Sequence, residues 1–349
     1  MAPSRDLPDP VEPRPAIEWP TLALLAAIYG SWIALVAGHA HIPLWLWLPL
    51  AAWTAAWWGS AQHEILHGHP TGSRALNTAL ATPPLWLWLP FECYRQSHLQ
   101  HHNDARLTDP LDDPETRYWT PDGWRELGPA GQALVRAQSC LAGRLVIGPF
   151  WSIGQFWLAE VRRIRAGDAQ ARRIWAWHIL WVGLVLSWAV GVCGLPLWQY
   201  LLGFVYLGTA LALVRSFAEH RAADAVEKRT AIVEHSPVFG LLFLHNNLHF
   251  AHHCWPTVPW YRLPSVYARH RAALVAANGG LVYEGYSEVF RRYFIGAHDQ
   301  PVHPRGRVPG GHEMQSDALA PEPAGQPAIA LHSGGGRLPT PAPAAQPSD

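Results

Sequence analysis

Eight histidines fall into three clusters: His63-x-x-x-His67, His98-x-x-His101-His102 and His249-x-x-His252-His253. An α-helix repeats every 3.6 residues, so positions i, i+3 and i+4 share one face. Each cluster therefore aims two or three imidazoles in one direction. Neutral imidazole is a ligand suited to iron, zinc and copper. Eight such ligands exceed what one ion takes and suit two, so the spacing predicts a pair of transition-metal ions.

The first cluster also reads His63-Glu64-Ile65-Leu66-His67, the H-E-x-x-H pattern in which two histidines bind zinc and Glu64 serves as general base of a metalloprotease. A zinc protease needs only one more protein ligand and an open position, which leaves two clusters unexplained. Glu64 also lies about 100° round the helix from His63, where a supporting or incidental role suffices. An intramembrane zinc protease stays as the alternative from another class, and a non-catalytic metal-binding membrane protein as a third. The single histidines His39, His41, His69, His178, His235, His270, His298, His303, His312 and His332 read as ordinary surface or core residues, and His245 stays outside the candidate set. The acidic stretch Thr108-Asp109-Pro110-Leu111-Asp112-Asp113-Pro114-Glu115 reads as an exposed loop. Its other readings are carboxylates orienting His N–H groups and a contact for an electron donor.

Four apolar runs position these clusters, at about residues 20–38, 43–62, 174–195 and 197–216. Each approaches the roughly 20 residues a membrane span needs. The links Gly38–Pro43 and Gly194–Leu197 are short, so the spans pair as two hairpins. Neither link holds Lys or Arg, whereas Arg162, Arg163, Arg165, Arg172 and Arg173 precede the third run and Arg215 and Arg221 follow the fourth. Positive charge marks the cytoplasmic side, which puts both termini and all clusters there. Two further apolar stretches must not cross, or the clusters would part. Leu76–Phe91, broken by Pro83, Pro84 and Pro90, reads as a re-entrant or surface hairpin. Leu141–Leu158, interrupted by Arg144, Gly148 and Pro149, reads as an interfacial amphipathic segment. Trp45, Trp47, Trp53, Trp57, Trp58, Trp86 and Trp88 read as an interfacial belt before they read as the lining of an acyl slot. His178 falls inside the third run, as polar glue between helices.

The expected architecture is an all-α integral membrane protein. It has four transmembrane helices in two hairpins beneath a cytoplasmic helical cap that carries the histidines. Residues 1–15 and 299–349, rich in Pro and small residues, read as disordered tails around one membrane domain over 16–298. The first fifteen residues show five prolines and no apolar run, so no signal peptide is expected. Lys+Arg and Asp+Glu balance at 26 each, which gives no electrostatic pointer to nucleic acid. Cys93, Cys140, Cys193 and Cys254 form no CxxC, which argues against a disulfide framework, a zinc ribbon or a cluster-binding set.

The HxxxH, HxxHH and HxxHH pattern around two hairpins resembles the membrane fatty acid desaturase superfamily. That superfamily also holds carotenoid ketolases and hydroxylases, sphingolipid desaturases and, more distantly, alkane hydroxylases. The resemblance runs from about Pro20 to Phe294 and is strongest in His63–Pro70, Tyr94–His102 and Asn246–His253. It implies a centre of two iron ions with O2 as co-substrate, held by the eight clustered histidines and one more at the cytoplasmic end of the last span. His220 stands there. In acyl-CoA desaturases an Asn helps hold the iron through water; the matching position here is Ser216, a departure from that pattern. The resemblance implies a lipid acyl substrate and a double bond as the product, with hydroxylation or ketolation of a lipid or carotenoid as the nearest alternative. The segment Trp255–Pro264 is more similar to bacterial desaturases, which implies an inner-membrane location. No haem domain, nucleotide fingerprint or cluster-binding Cys set is visible, so electrons are expected from a separate ferredoxin- or rubredoxin-like donor.

Overall fold

The computed structural model describes residues 15–102 and 106–304. The expected tail over 1–15 lies outside them but for its last residue. Fourteen α-helices are described: α1 (Trp19–Ala37), α2 (Leu44–Leu66), α3 (Arg74–Ala81), α4 (Phe91–His102), α5 (Pro121–Glu126), α6 (Gly128–Ala137), α7 (Leu141–Arg165), α8 (Ala169–Leu186), α9 (Leu197–Tyr200), α10 (Gly208–Ala218), α11 (Pro237–Leu242), α12 (His249–Cys254), α13 (Leu263–Ala277) and α14 (Tyr286–Tyr293). Two short strands, β1 (Ile232–Val233) and β2 (Val282–Tyr283), pair in parallel and are the one departure from an all-helical chain among the described residues.

Three helical stretches are long and apolar enough to cross a membrane: Trp19–Ala37, Ala169–Val192 and Leu197–Ala218. The second joins α8 to a π-helical end at Ser187–Val192, and the third joins α9 to α10 through a π-helix at Leu201–Leu207. The third expected span starts earlier than residue 174, because the Asp168 side chain accepts from the Gln170 and Ala171 amides and caps the helix there. The helix expected as the second span, α2, is not among the three. At 23 residues it is long enough, but Trp45, Trp47, Trp53, Trp57 and Trp58 and the small residues between them dilute its apolarity. It runs four residues beyond the expected end, through the first histidine cluster.

The core forms where α2 packs against α1, the π-helix at Leu201–Leu207 and α10. Close approach is set by glycine. A Cβ on Gly203 would stand 2.4 Å from the Trp47 ring, and one on Gly59 would stand 2.2 Å from Trp86. Here the belt expectation fails for Trp47, Trp58, Trp86 and Trp88, which are all buried, while Trp45 is exposed. Trp47 and Trp58 are eleven residues apart, three helical turns, so they face inward together. Trp45 points the other way.

The stretch from Thr82 to Pro90 folds into the bundle as a loop, with Leu85, Trp86, Trp88 and Leu89 buried. Backbone away from water must find partners. Tyr200 Oη–H donates to Leu85 O at 2.8 Å, His178 Nε2–H to Leu87 O at 2.8 Å and Trp157 Nε1–H to Trp88 O at 3.0 Å. His178 therefore ties its own helix to this loop. The amphipathic reading of Leu141–Leu158 matches α7, which exposes Val146, Phe150, Trp157 and Leu158 while packing its other face on α10.

Residues 299–304, expected to open the C-terminal tail, are packed. The Trp119 amide donates to Pro301 O, the His303 amide to Trp119 O, and Tyr118 Oη–H to the Asp299 carboxylate. This strap holds the loop that precedes α5. The remainder of that tail, from 305, lies outside the described residues.

Candidate metal centre

Four short pieces of chain bring the nine candidate histidines together. The last turn of α2 supplies His63, and its C-terminal residue is followed by His67. The end of α4 carries His98, His101 and His102, and α12 carries His249, His252 and His253. His220 stands two residues beyond α10. Helical periodicity does the local work: in α4 and α12 the i, i+3 and i+4 rings emerge on one side.

The rings sort into two groups that cut across the clusters. His63, His67, His98, His102 and His252 form one; His101, His220, His249 and His253 form the other. Within each group one ligand atom per residue lies within 4.8 Å of every other. The adjacent pairs His101–His102 and His252–His253 split between groups, since neighbours on a helix diverge by about 100°. The groups touch where His102 stacks on His253, with centroids 4.1 Å apart.

The outward nitrogens are held by acceptors. His101 Nδ1–H donates to Asp113 at 2.9 Å, and His98 Nδ1 lies 3.1 Å from Glu115 Oε1. His249 Nδ1–H donates to Asn246 Oδ1 at 2.9 Å with Glu219 Oε1 at 3.2 Å, and His220 Nδ1 faces Arg229 O at 3.3 Å. A neutral imidazole has one N–H, so in His98, His220 and His249 these partners leave Nε2 as a bare lone pair. Nevertheless His249 Nε2 lies 2.9 Å from His220 Nε2. Two lone pairs at that distance repel unless a cation lies between them. His67 Nε2 and His98 Nε2 are likewise buried with no hydrogen-bond partner. The donor set thus fits metal ions.

Burial, reinforced by neighbouring rings, holds His67, His102, His220, His249, His252 and His253 well below the usual histidine range, in the neutral form that ligates. Burial also lowers His98, against the pull of Glu115. His101 is the exception. Burial lowers it, but the Asp113 charge and hydrogen bond outweigh that and raise it to about 9. Burial raises Glu219 to about 7, against Arg215.

The acidic loop is therefore not the exposed segment expected: Asp113 is buried, and Glu115 reaches in to His98. Its signal was the run of carboxylates shortly after the second cluster. Glu219 and Asn246 escaped notice, although each lies next to or within three residues of a candidate ligand. Ser216 turns back on its own helix, to Leu213 O, and His245 stacks on Trp260, apart from both groups. Glu64 is engaged elsewhere, where its carboxylate accepts the Trp260 amide at 3.1 Å. Among the single histidines, His69 is buried against Glu18 at 2.6 Å, and His298 is buried between Phe217 and Tyr293. His312 and His332 lie outside the described residues.

The family model described as fatty acid desaturase matches residues 39–285. No curated protein matches the chain.

Proposed function

The chain belongs to the fatty acid desaturase family, and from that premise we propose an O2-dependent di-iron enzyme that introduces a double bond into a fatty acyl chain at the membrane–cytoplasm boundary. The observation that carries the reading is the convergence of nine histidines into two groups, within each of which one ligand atom per residue lies within 4.8 Å of every other. In it His63, His67, His98, His102 and His252 would hold one iron, and His101, His220, His249 and His253 would hold the other. No side-chain acid or base breaks an unactivated C–H bond; the two irons, once reduced and given O2, supply that oxidising power.

The protein's own share is positioning. Asp113, Glu115 and Asn246 with Glu219 fix ring orientation and tautomer, and carboxylate partners raise ligand basicity. Glu64 anchors the segment after the third cluster through the Trp260 amide, a task unlike that of a hydrolytic base.

In this reading α2 is the fourth span. Its 23 residues reach about 34 Å, enough for the hydrocarbon core, and its neighbours α1 and α10 are themselves candidate spans. The arginines around the second hairpin support a reading with the histidines on the cytoplasmic side of a bacterial inner membrane. The acyl substrate arrives from the bilayer, and electrons arrive from a separate ferredoxin- or rubredoxin-like protein.

Two measurements test this. The purified protein is expected to hold two irons per chain; one zinc without iron overturns the di-iron reading. Expression in a host lacking unsaturated lipids, followed by lipid mass spectrometry, is expected to reveal new double bonds. New hydroxyl or keto groups without them assign the chain to the hydroxylating branch instead.

A further inference from the structure

Away from the metal centre, a groove of about 340 Å³ lies between the ends of the loop over 82–90 and the start of α8. That volume is within the range of small-ligand sites, roughly 300–1,000 Å³. Phe91, Ile174 and Trp177 form its apolar wall, His178 closes it from inside the bundle, and Gln170 and Arg173 stand at its rim. None of these is among the nine histidines.

Depth and charge together indicate an occupant. The candidate span begins at Ala169, so Gln170 and Arg173 occupy its first turns and Ile174, Trp177 and His178 the next ones. At 1.5 Å per residue the groove descends over about 13 Å from the helix start, the interval between headgroups and upper acyl chains. The rim carries surplus positive charge. Glu92, the one carboxylate lining the groove, is taken by Arg95 at 2.8 Å, which with Arg74 nearby holds it below the usual range. Arg173 is exposed and makes no ion pair among the described residues.

We propose that this groove binds an anionic phospholipid, with its phosphate at Arg173 and Gln170 and one acyl chain along Phe91, Ile174 and Trp177. The proposal rests on the membrane placement of α8 read above and is independent of the iron chemistry. Phe91 opens α4, and His98 stands seven residues, about 10 Å, further along the same helix. A lipid seated here braces the helix that carries the second histidine cluster.

The test reconstitutes the full chain in nanodiscs of equimolar phosphatidylglycerol and phosphatidylcholine, then reads retained lipid by native mass spectrometry. Wild type is expected to retain one phosphatidylglycerol. Arg173→Glu is expected to lower that occupancy by about tenfold or more, since a cation at the lipid surface is replaced by an anion. Arg172→Glu, whose native guanidinium donates to Ile164 O outside the groove, is expected to keep it. Trp177→Ala leaves the charge in place and is expected to weaken retention severalfold. Equal retention by wild type and Arg173→Glu overturns the proposal. So does equal retention of phosphatidylcholine, or a free fatty acid or acyl thioester in place of the phospholipid. Iron content is read on the same samples: iron missing from all of them counts against the di-iron reading and leaves the lipid result standing.

Discussion

His98 Nδ1 lies 3.1 Å from Glu115 Oε1, so a residue of the loop after the second cluster sets the direction in which the His98 ring presents Nε2. Removing such a partner typically costs about 10- to 100-fold in metal affinity. Glu115→Ala is expected to lose iron in that range while the fold persists. Chelator competition measures the affinity, and an unchanged value would show that Glu115 does not orient the ring.

Metal loading should depend on pH through His101. Its raised value of about 9 means that the metal-free protein keeps a proton there at neutral pH, which an arriving ion must displace. The apparent affinity for Fe2+ is therefore expected to climb between pH 7 and pH 9 by up to about tenfold per unit, then level off. The stability of the metal-free protein runs the other way. The contribution of the protonated His101–Asp113 pair is complete below the ordinary value of 6.5 and is lost as pH rises through about 9. Asp113→Ala should flatten both profiles.

The engagement of Glu64 with the Trp260 amide separates the enzyme classes. Glu64→Gln keeps an acceptor and is expected to retain iron and most desaturation activity, whereas His252→Ala loses both. A dead Glu64→Gln beside an active His252→Ala would instead point to hydrolysis.

Gly59 has no room for a side chain, because its Cβ would meet the Trp86 ring at 2.2 Å. Overpacking of this kind costs about 1–3 kcal/mol. Gly59→Val is expected to lower the unfolding temperature in detergent. Ile65→Val, which removes a methylene elsewhere on the same helix, should cost only about 0.5–1.5 kcal/mol.

The histidine clusters were legible because their geometry is local: three residues on one helical turn declare their common face in the sequence. The sorting into two groups was not, since His101 and His102 are neighbours in the chain yet face different sites. The orienting partners were legible only in part. Asp113 and Glu115 stood out as acids near a cluster, but prolines on either side made them look like surface loop. The strap at 299–303 that helps hold their loop follows some 180 residues later. Glu219 carried no pattern at all, as one carboxylate at a helix end. The tryptophans misled because composition reports how many a membrane protein has, whereas the helical phase at Trp45, Trp47 and Trp58 decides which of them meet lipid.

The loop over 82–90 is held by side chains that come from much later in the chain. Its Leu85, Leu87 and Trp88 carbonyls wait for Tyr200, His178 and Trp157. During synthesis α1 to α3 can form while this loop still lacks its donors. It settles once α7, α8 and α9 have arrived, and α4 follows it directly. The second histidine cluster thus takes its place late, and the third later still. The two histidine groups are therefore complete only at the close of assembly, so a ribosome-bound chain ending before Tyr200 carries histidines but no site.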